Sequence, residues 1–543
     1  MPALLYMATL RFEFVFDDHN QIVGNPLIKS WHNLPWLFRT DVWSFSNPLV
    51  LGNYWRPFFT MWLLVNHSLF GLNPAGWHAA AVLVHVAATF LVFRLVRKLS
   101  GDLLLSAFAA LIFTVHPSHL ETVAWISGAT DSLMTVFVVS SLLCFVNAFS
   151  QTSLKWKWLA ASLLLYAGGL LVKETAMMTP MMVLAYFVFA HRTSLRGHIS
   201  PVALSIVLLA LVTIAYATMR AAVLGGMSHP IIHMTLAEII LNAPLLLWFY
   251  VKHLVYPIGL GLYYDIPPVL QMTWANFWFP VFALLAVTAG VLYWAYRAKE
   301  RLAIFGFVVM MVPLLPVLYI PGLAVDDIAH DRYLYVPSIG FAIIVASLIR
   351  RIRWGSRELF SASASQFAVA VVVVLGLSAA TSAQQIYWAN DVLLFSRAIE
   401  VAPGKAVAYN NLGTALTAKN RYKEARFAYQ QVVMRNPRAW SAYYNLGLGY
   451  FIDGQYAEAE ENLKRALSIM QLESDPYAVL AESQIKLGKY AEAEQAVRTA
   501  IRLKPYKPGY RQVLALALEK QGRIQEAQEA AKEEQQLQAR QAH

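Results

Sequence analysis

Charge is what this chain has little of. Only 14% of its 543 residues are Asp, Glu, Lys or Arg, where ordinary soluble domains carry about a quarter. So few charged side chains cannot cover the surface of a wholly soluble multidomain protein of this length. Cysteine is nearly missing. Cys144 is the single one and lies in an apolar run, so intrachain disulfides are excluded. Acidic groups are the scarcer charge, with 32 Asp and Glu against 43 Lys and Arg and a formal net charge of +11. That excess does not point to nucleic acid, because the basic residues fall in short loops between apolar runs and form no phosphate-tracking stripe. No basic segment precedes the first apolar run, which leads straight into Phe16-Asp17-Asp18, so a cleaved signal peptide is not expected.

What is there instead is hydrophobic sequence, 58% of the chain. Upstream of about residue 387, apolar runs of roughly 17–25 residues recur, long enough to cross a bilayer of about 30 Å as helices. Eleven spans are expected, near 1–16, 78–97, 103–116, 123–149, 156–172, 175–190, 201–224, 277–296, 302–320, 333–349 and 366–386. Basic residues cluster in five loops between them: Arg94/Arg97/Lys98, Lys155/Lys157, Arg192/Arg196, Arg297/Lys299/Arg301 and Arg350/Arg351/Arg353/Arg357. The positive-inside rule puts these loops in the cytoplasm. The apolar stretch at 238–256 would break the alternation if it spanned, so it reads as re-entrant or interfacial. Eleven spans leave the amino terminus inside and the carboxyl-terminal region outside.

That region is a repeat. Leu412-Gly413, Leu446-Gly447, Leu480-Ala481 and Leu514-Ala515 recur every 34 residues, as do Ala425, Ala459, Ala493 and Ala527, with Pro403, Pro437 and Pro505 on the same grid. Small residues at a helix crossing and proline at the unit end, at this period, mark tetratricopeptide repeats. Such arrays build a concave binding surface from stacked helix pairs. A half unit, Trp388 to Pro403, precedes four repeats and follows the last apolar run almost without a linker, so the array is expected near the membrane domain. The expected fold is all-α: a polytopic membrane domain over 1–387, then a tetratricopeptide α-solenoid over 388–543.

The outer side of this topology collects two long loops, about 17–77 and 321–332, and a Tyr-, Pro- and Gly-rich segment near 256–268. Five polar clusters map there. They are Phe16-Asp17-Asp18-His19; Tyr54-Trp55-Arg56-Pro57; His116-Pro117-Ser118-His119-Leu120-Glu121 with Trp125-Ile126-Ser127-Gly128; Lys173-Glu174; and His330-Asp331-Arg332-Tyr333-Leu334-Tyr335-Val336-Pro337, beside Asp326 and Asp327. An ionised group at membrane depth costs about 2.5–3.5 kcal/mol on insertion scales and marks function by default.

Each cluster also has a plain structural reading. Asp17-Asp18 can mark a helix end, Lys173-Glu174 can neutralise each other, and Arg332 can pair with Asp331 or Asp326. His116, His119 and Glu121 have spacing that suits a metal, yet a proline-marked loop with hydrogen-bonded histidines accounts for them as well. His78 and His85, seven residues apart on one helix face, read as polar glue between spans. Convergence of all the clusters on one face is what independent structural readings do not predict. Together, acidic loops at Asp17 and Glu121 offer a general base or a metal seat. Arg56, Lys173 and Arg332 offer a phosphate clamp. Base and clamp at a lipid surface describe transfer of a group from a lipid phosphate to an acceptor hydroxyl.

These motifs, in this order and with Gly71-Leu72-Asn73-Pro74, His78 and His85 between them, resemble the C-type glycosyltransferases that pair a multispan domain with tetratricopeptide repeats. The eukaryotic transmembrane and tetratricopeptide-repeat-containing O-mannosyltransferases are the clearest example. The resemblance implies a polyprenyl-phosphate sugar donor, inverting transfer to a Ser or Thr hydroxyl, an acceptor protein recruited by the repeats, and a site facing the periplasm or lumen. It places the catalytic carboxylate on Asp17, with Asp18 beside it and Glu121 as the glutamate of the His-Pro-x-His-x-Glu motif. It places phosphate-facing cations on Arg332 and Lys173, with Arg56, His116, His119, Glu174, Asp331 and Tyr333 around the substrates. No cofactor is required by the motifs; a divalent metal ion on Asp17 and Glu121 is the candidate, since family members differ in metal use. One departure is Ala81, where the family tends to have Asn between the two helix histidines. The alternatives are an O-antigen-ligase- or polymerase-like transferase using a pyrophosphate-linked glycan, and a non-catalytic membrane scaffold. The Asp17-Asp18 loop and the Asp331-Arg332-Tyr333 motif favour the first reading.

Overall fold

The structure, a computed structural model, describes residues 1–46, 52–149, 154–190, 195–229, 231, 233–323, 328–352, 358–359 and 362–541. Asp326 and Asp327 of the second outer loop, and Arg192, Arg353 and Arg357 of the basic loops, lie outside the described residues. The chain divides into two compact units, Met1–Arg397 and Ala398–His543.

The first unit is a helical assembly: α1 Pro57–Phe70, α2 Pro74–Ser100, α3 Leu103–Val115, α4 Thr130–Ala148, α5 Trp156–Val172, α6 Thr179–Ala190, α7 Leu195–Leu224, α8 Leu236–Val255, α9 Phe279–Ala298, α10 Arg301–Met311, α11 Pro337–Arg351, α12 Ala364–Gln385 and the first part of α13 Asp391–Val401, whose last residues from Ala398 fall in the second unit. Local chemistry sets the boundaries. Asn73 caps α2 by accepting from the Ala75 amide, with Pro74 in the first turn. Gly101 closes α2 at φ +69, a conformation that costs glycine nothing. Asp102 then caps α3 by accepting from the amides of Leu104 and Leu105. The strands Glu358–Leu359 and Ala362–Ser363 form one two-residue antiparallel ladder, with no other strand among the described residues.

Seven helical segments are long and apolar enough to cross a membrane, or eight if the bent pair Leu103–Val115 and Pro117–Val123 counts as one span. Trp156–Val172 and Glu174–Val188 are shorter apolar helices. Three expectations change. The stretch 1–16 is not a spanning helix: a turn at Pro2–Leu5 and a 3₁₀ segment at Met7–Arg11 give way to extended backbone. There Phe12 packs edge-on against His78 and Phe14 against Trp77, so the segment lies along α2. The stretch expected to be re-entrant forms α8, 20 residues long and one of the candidate spans. Thr235 and Glu238 start it with a reciprocal capping box. The expected span 333–349 is instead the 15-residue α11, because Asp331–Leu334 winds as a 3₁₀ turn and the helix begins at Pro337.

Three of the basic loops meet. Arg350, in the last turn of α11, donates to Asp102 through Nε at 2.9 Å and Nη2 at 2.7 Å, next to the basic end of α2. Arg351 reaches Glu300 at 3.2 Å, in the loop after α9. The opposite ends of α3 and α11 carry His116 and the Tyr333–Ser338 turn, so these two helices run from basic loops to the polar clusters.

The second unit is four helix pairs: α14 Ala406–Ala418 with α15 Tyr422–Arg435, α16 Trp440–Ile452 with α17 Tyr456–Ile469, α18 Ser474–Lys486 with α19 Tyr490–Leu503, and α20 Tyr510–Lys520 with α21 Ile524–Gln541. Each pair turns on a residue at positive φ, and these too lie 34 apart: Asn420 at 59°, then Gly454, Gly488 and Gly522 at 76–81°. Glycine, and asparagine next, occupies this region at least cost. At the helix crossings a Cβ on Gly413 would lie 2.6 Å from the Tyr429 ring, and one on Gly447 2.6 Å from Leu463. Ala459, Leu463, Ala493, Val497 and Leu514 fill the core along the stack.

Candidate functional site

The acidic loop is pinned from both sides. Asp18 is fully buried; its carboxylate accepts from the Ser127 amide at 2.8 Å, the Ser127 hydroxyl at 2.6 Å and the Val15 amide at 3.2 Å. Burial pushes this carboxyl up to about 7 against those hydrogen bonds. Phe16 has φ +52, rare for a bulky side chain; such backbone costs about 1–3 kcal/mol and clusters at functional sites. Its amide donates to Asp391 Oδ1 at 2.8 Å, and its ring packs on Trp125 and Phe395. His19 Nε2 lies 2.7 Å from Asp391 Oδ2. Asp17, half-buried, sits between these anchors and accepts from the Asn20 and Gln21 amides through its carbonyl at 3.0 and 2.7 Å.

Glu121 is buried at 1% exposure and takes Arg332 with both oxygens, one from the Arg332 amide at 3.0 Å and one from its guanidinium. His330 Nδ1 stands 3.3 Å from the same carboxylate. Arg332 also lies over the rings of Trp125 and Tyr333, 5.4 and 5.3 Å from their centroids. Asp331 is buried and accepts from the Tyr264 hydroxyl at 2.5 Å; burial and the neighbouring Glu121 push it well above the usual carboxylate range. The Tyr-rich segment thus touches Asp331 through Tyr264 and Phe16 through Tyr263.

Lys173 and Glu174 do not neutralise each other. Lys173 donates to both oxygens of Asp131, at 2.7 and 2.6 Å, in a pair with side chains only 3% and 4% exposed. Glu174 takes Arg56 in a fork, from Nε at 3.1 Å and Nη2 at 2.6 Å. Lys173 also sits over the Tyr333 ring, at 4.8 Å.

The five clusters are thus in one place. Phe16 touches Trp125, Trp125 stacks under Arg332, and Tyr333 meets Lys173, next to Glu174 and Arg56. Tyr333, Lys173, Glu174 and Arg56 line a cavity of about 330 Å³, together with Arg220 and apolar walls from Met177, Pro316, Val317 and Leu323. His85, His116 and His119 are fully buried in this arrangement. His116 bonds Ser118 at 2.8 Å and the Leu254 carbonyl at 2.9 Å, His119 bonds Ser338 at 2.8 Å, and His85 bonds the Tyr335 hydroxyl at 2.6 Å. Among the described residues no three His, Cys, Asp or Glu side chains converge as a metal-holding group. Glu121, one of the two candidate ligands, has both oxygens on Arg332.

Sequence reasoning missed Asp131, Arg220 and Asp391. Arg220 lies in α7 and donates to the Asn53 carbonyl at 2.7 Å and to the Met227 carbonyl, holding the first outer loop at the cavity rim. An arginine inside a long apolar run is itself a signal.

The profile of the dolichyl-phosphate-mannose-protein mannosyltransferases matches residues 56–217, which contain Arg56, Glu121, Asp131, Lys173 and Glu174. A protein O-mannosyl-transferase of Caenorhabditis elegans is 25% identical over 452 residues, 80% of this chain and 61% of the relative. The chain is similar to the protein O-mannosyl-transferases. A second relative, protein O-mannosyl-transferase TMTC2 of Mus musculus, is 24% identical over 79% of this chain and 61% of its own length. The chain therefore spans about three fifths of the length of these curated relatives. Profiles of subunit 3 of the anaphase-promoting complex and of the tetratricopeptide repeat match residues 418–500 and 478–542. Crystal structures of MamA align with 28% of the chain at 22% identity, with a TM-score of 0.27. Within the repeats, Phe451, Ile485 and Leu516 line a groove with Glu482, Lys486 and Glu519, on the first helices of the pairs.

Proposed function

We propose that this chain is a membrane glycosyltransferase that moves a sugar from a polyprenyl-phosphate donor to a hydroxyl of a Ser or Thr in an acceptor protein, on the extracytoplasmic face. The observation that carries this reading is the cavity of about 330 Å³, where Arg56, Lys173 and Arg220 stand at apolar walls. A phosphate on a hydrocarbon chain needs both: guanidinium for bidentate grip and apolar surface for the lipid, at roughly 25 cal/mol per Å² buried. Arg56 and Lys173 already face Glu174 and Asp131. Arg220 donates to two backbone carbonyls and stands beside the Tyr216 hydroxyl, with no carboxylate paired to it among the described residues, so its charge is available to the donor phosphate.

In the transfer, Asp17 takes the proton of the acceptor hydroxyl as that oxygen attacks the anomeric carbon from the side opposite the phosphate. The bond from the anomeric carbon to the phosphate oxygen breaks, its electron pair leaves on the polyprenyl phosphate, and the configuration inverts. Glu121 holds Arg332 at the site, and Asp18 holds the loop. Among the described residues the donor set does not fit a metal seat, since Glu121 has both oxygens on Arg332. The course of α3 and α11, from basic loops to the site, supports this sidedness, since basic loops stay in the cytoplasm. The groove of Phe451, Ile485 and Leu516 receives the acceptor polypeptide. Mannose is the first sugar to test, because the relatives are named for it.

Arg220→Gln removes the charge and leaves an amide donor on a shorter side chain. In reconstituted vesicles it should weaken polyprenyl-phosphate binding at least tenfold. Unchanged affinity would show that the cavity is not the donor site.

A further inference from the structure

We infer that Asp391 is a positioning residue of the acidic loop, its carboxylate clamping the Phe16 amide and the His19 imidazole so that Asp17 is presented to the acceptor. Each carboxylate oxygen holds one side of the loop. Oδ1 accepts from the Phe16 amide at 2.8 Å, and Oδ2 lies 2.7 Å from His19 Nε2. Between those two contacts lies Asp17. The clamp acts where the backbone is least able to hold itself, since Phe16 carries φ +52 and a bulky residue leaves that region when released. A second backbone contact reinforces it, with the Glu13 amide donating to the Ala389 carbonyl at 3.0 Å. Phe395, one turn after Asp391, packs its ring on Phe16 at 5.9 Å. The opposite edge of the loop is fixed separately through Asp18 and Ser127. Asp391 stands 375 residues from Phe16 and opens α13, the helix that leads in sequence to the repeats. It belongs to none of the sequence clusters and to no part of the matched mannosyltransferase profile.

The kinetic part of this inference rests on the proposed function; the structural part does not. The full-length protein in nanodiscs is compared as wild type, Asp391→Ala, Asp391→Asn and Asp391→Glu. Amide exchange over residues 12–20 reads the clamp directly: wild type and Asp391→Asn should protect the Phe16 amide, and Asp391→Ala should lose that protection. Transfer from polyprenyl-phosphate-mannose reads the consequence. Asp391→Asn keeps both contacts without the charge and should retain kcat within about threefold. Asp391→Glu keeps the charge but moves the carboxylate, and a displacement of about 1 Å at a reacting group can cost about a hundredfold. It should lower kcat at least tenfold with donor KM unchanged. If Asp391→Ala does not accumulate, Asp391→Glu carries both arms. Equal protection of the Phe16 amide in every variant, or Asp391→Glu turning over within twofold of wild type, would overturn the inference. A wild-type protein that transfers no sugar would remove the proposed function and leave the exchange measurement to decide the clamp.

Discussion

The Lys173–Asp131 pair separates a structural lysine from a donor-binding one. Both side chains are buried, and the ammonium sits 2.7 and 2.6 Å from the two carboxylate oxygens. Lys173→Met deletes the charge and leaves Asp131 with the Thr130 hydroxyl at 3.4 Å. Breaking one half of a buried pair costs about 3–5 kcal/mol, because the other charge stays desolvated and uncompensated. That is a large part of a typical stability of about 5–15 kcal/mol. Removing both charges, as in Lys173→Met with Asp131→Asn, removes the desolvation cost and should return stability to near wild type. With the double variant near wild type, the cycle should give a coupling of at least about 3–5 kcal/mol, at or above the upper end for residues in contact. Chemical denaturation in detergent reads this, and polyprenyl-phosphate binding is measured on the same samples. A stable double variant that binds donor several-fold more weakly assigns Lys173 to the donor; one with full affinity assigns it to the fold. A single Lys173→Met variant within about 1 kcal/mol of wild type would refute the reasoning, because a buried aspartate cannot lose its cation so cheaply.

Other consequences follow from the same geometry. Arg332→Lys should still fold, since Glu121 keeps a cation, but should bind donor more weakly because lysine lacks the planar fork; equal binding would remove Arg332 from the donor site. Phe451→Ala with Leu516→Ala, on the repeat groove, should cut transfer to a full-length acceptor several-fold and leave transfer to a short peptide unchanged; an equal loss on both would show that the groove does not present substrate. Burial alone would raise the carboxyl of Glu460, but hydrogen bonds from Lys464, Lys489 and Gln484 outweigh it and hold it at about 2. The stability this gives is present above the ordinary value of 4.5 and is lost as pH falls toward 2, so the repeats should unfold more easily across that window. In Glu460→Gln the melting temperature should lose that part of its pH dependence, and an unchanged profile would contradict the assignment.

The repeats were fully legible because their signal is periodic: a 34-residue grid of Leu-Gly and Ala survives any uncertainty at single positions. The turn residues Asn420, Gly454, Gly488 and Gly522 sit on the same grid and could have been read from it. Most membrane helices were legible by length and hydropathy, but two were decided by other forces. Residues 12–15 stay out of a helix because Phe12 and Phe14 dock on His78 and Trp77, contacts that no local pattern encodes. The helix at Leu236–Val255 was set aside by the alternation of basic loops, which counted 1–16 as a span. In the site, residue types revealed the clusters but not their partners. Lys173 bonds Asp131 and not its neighbour Glu174, and Glu121 bonds Arg332 across 211 residues of chain. Pairing of charges is tertiary information. Asp391 left no trace at all, since a lone aspartate at the start of an amphipathic helix reads as an ordinary first-turn carboxylate.

The most direct test of the proposed activity is sugar transfer by the purified, reconstituted protein from polyprenyl-phosphate-mannose to a Ser/Thr-rich acceptor protein, with Asp17→Asn measured beside it. The expected result is transfer by the wild type and, in the variant, intact donor binding with transfer lower by the roughly 10²–10⁴-fold that a general base contributes. Transfer by Asp17→Asn within about threefold of wild type would contradict this and move the catalytic role to Asp18 or Glu121.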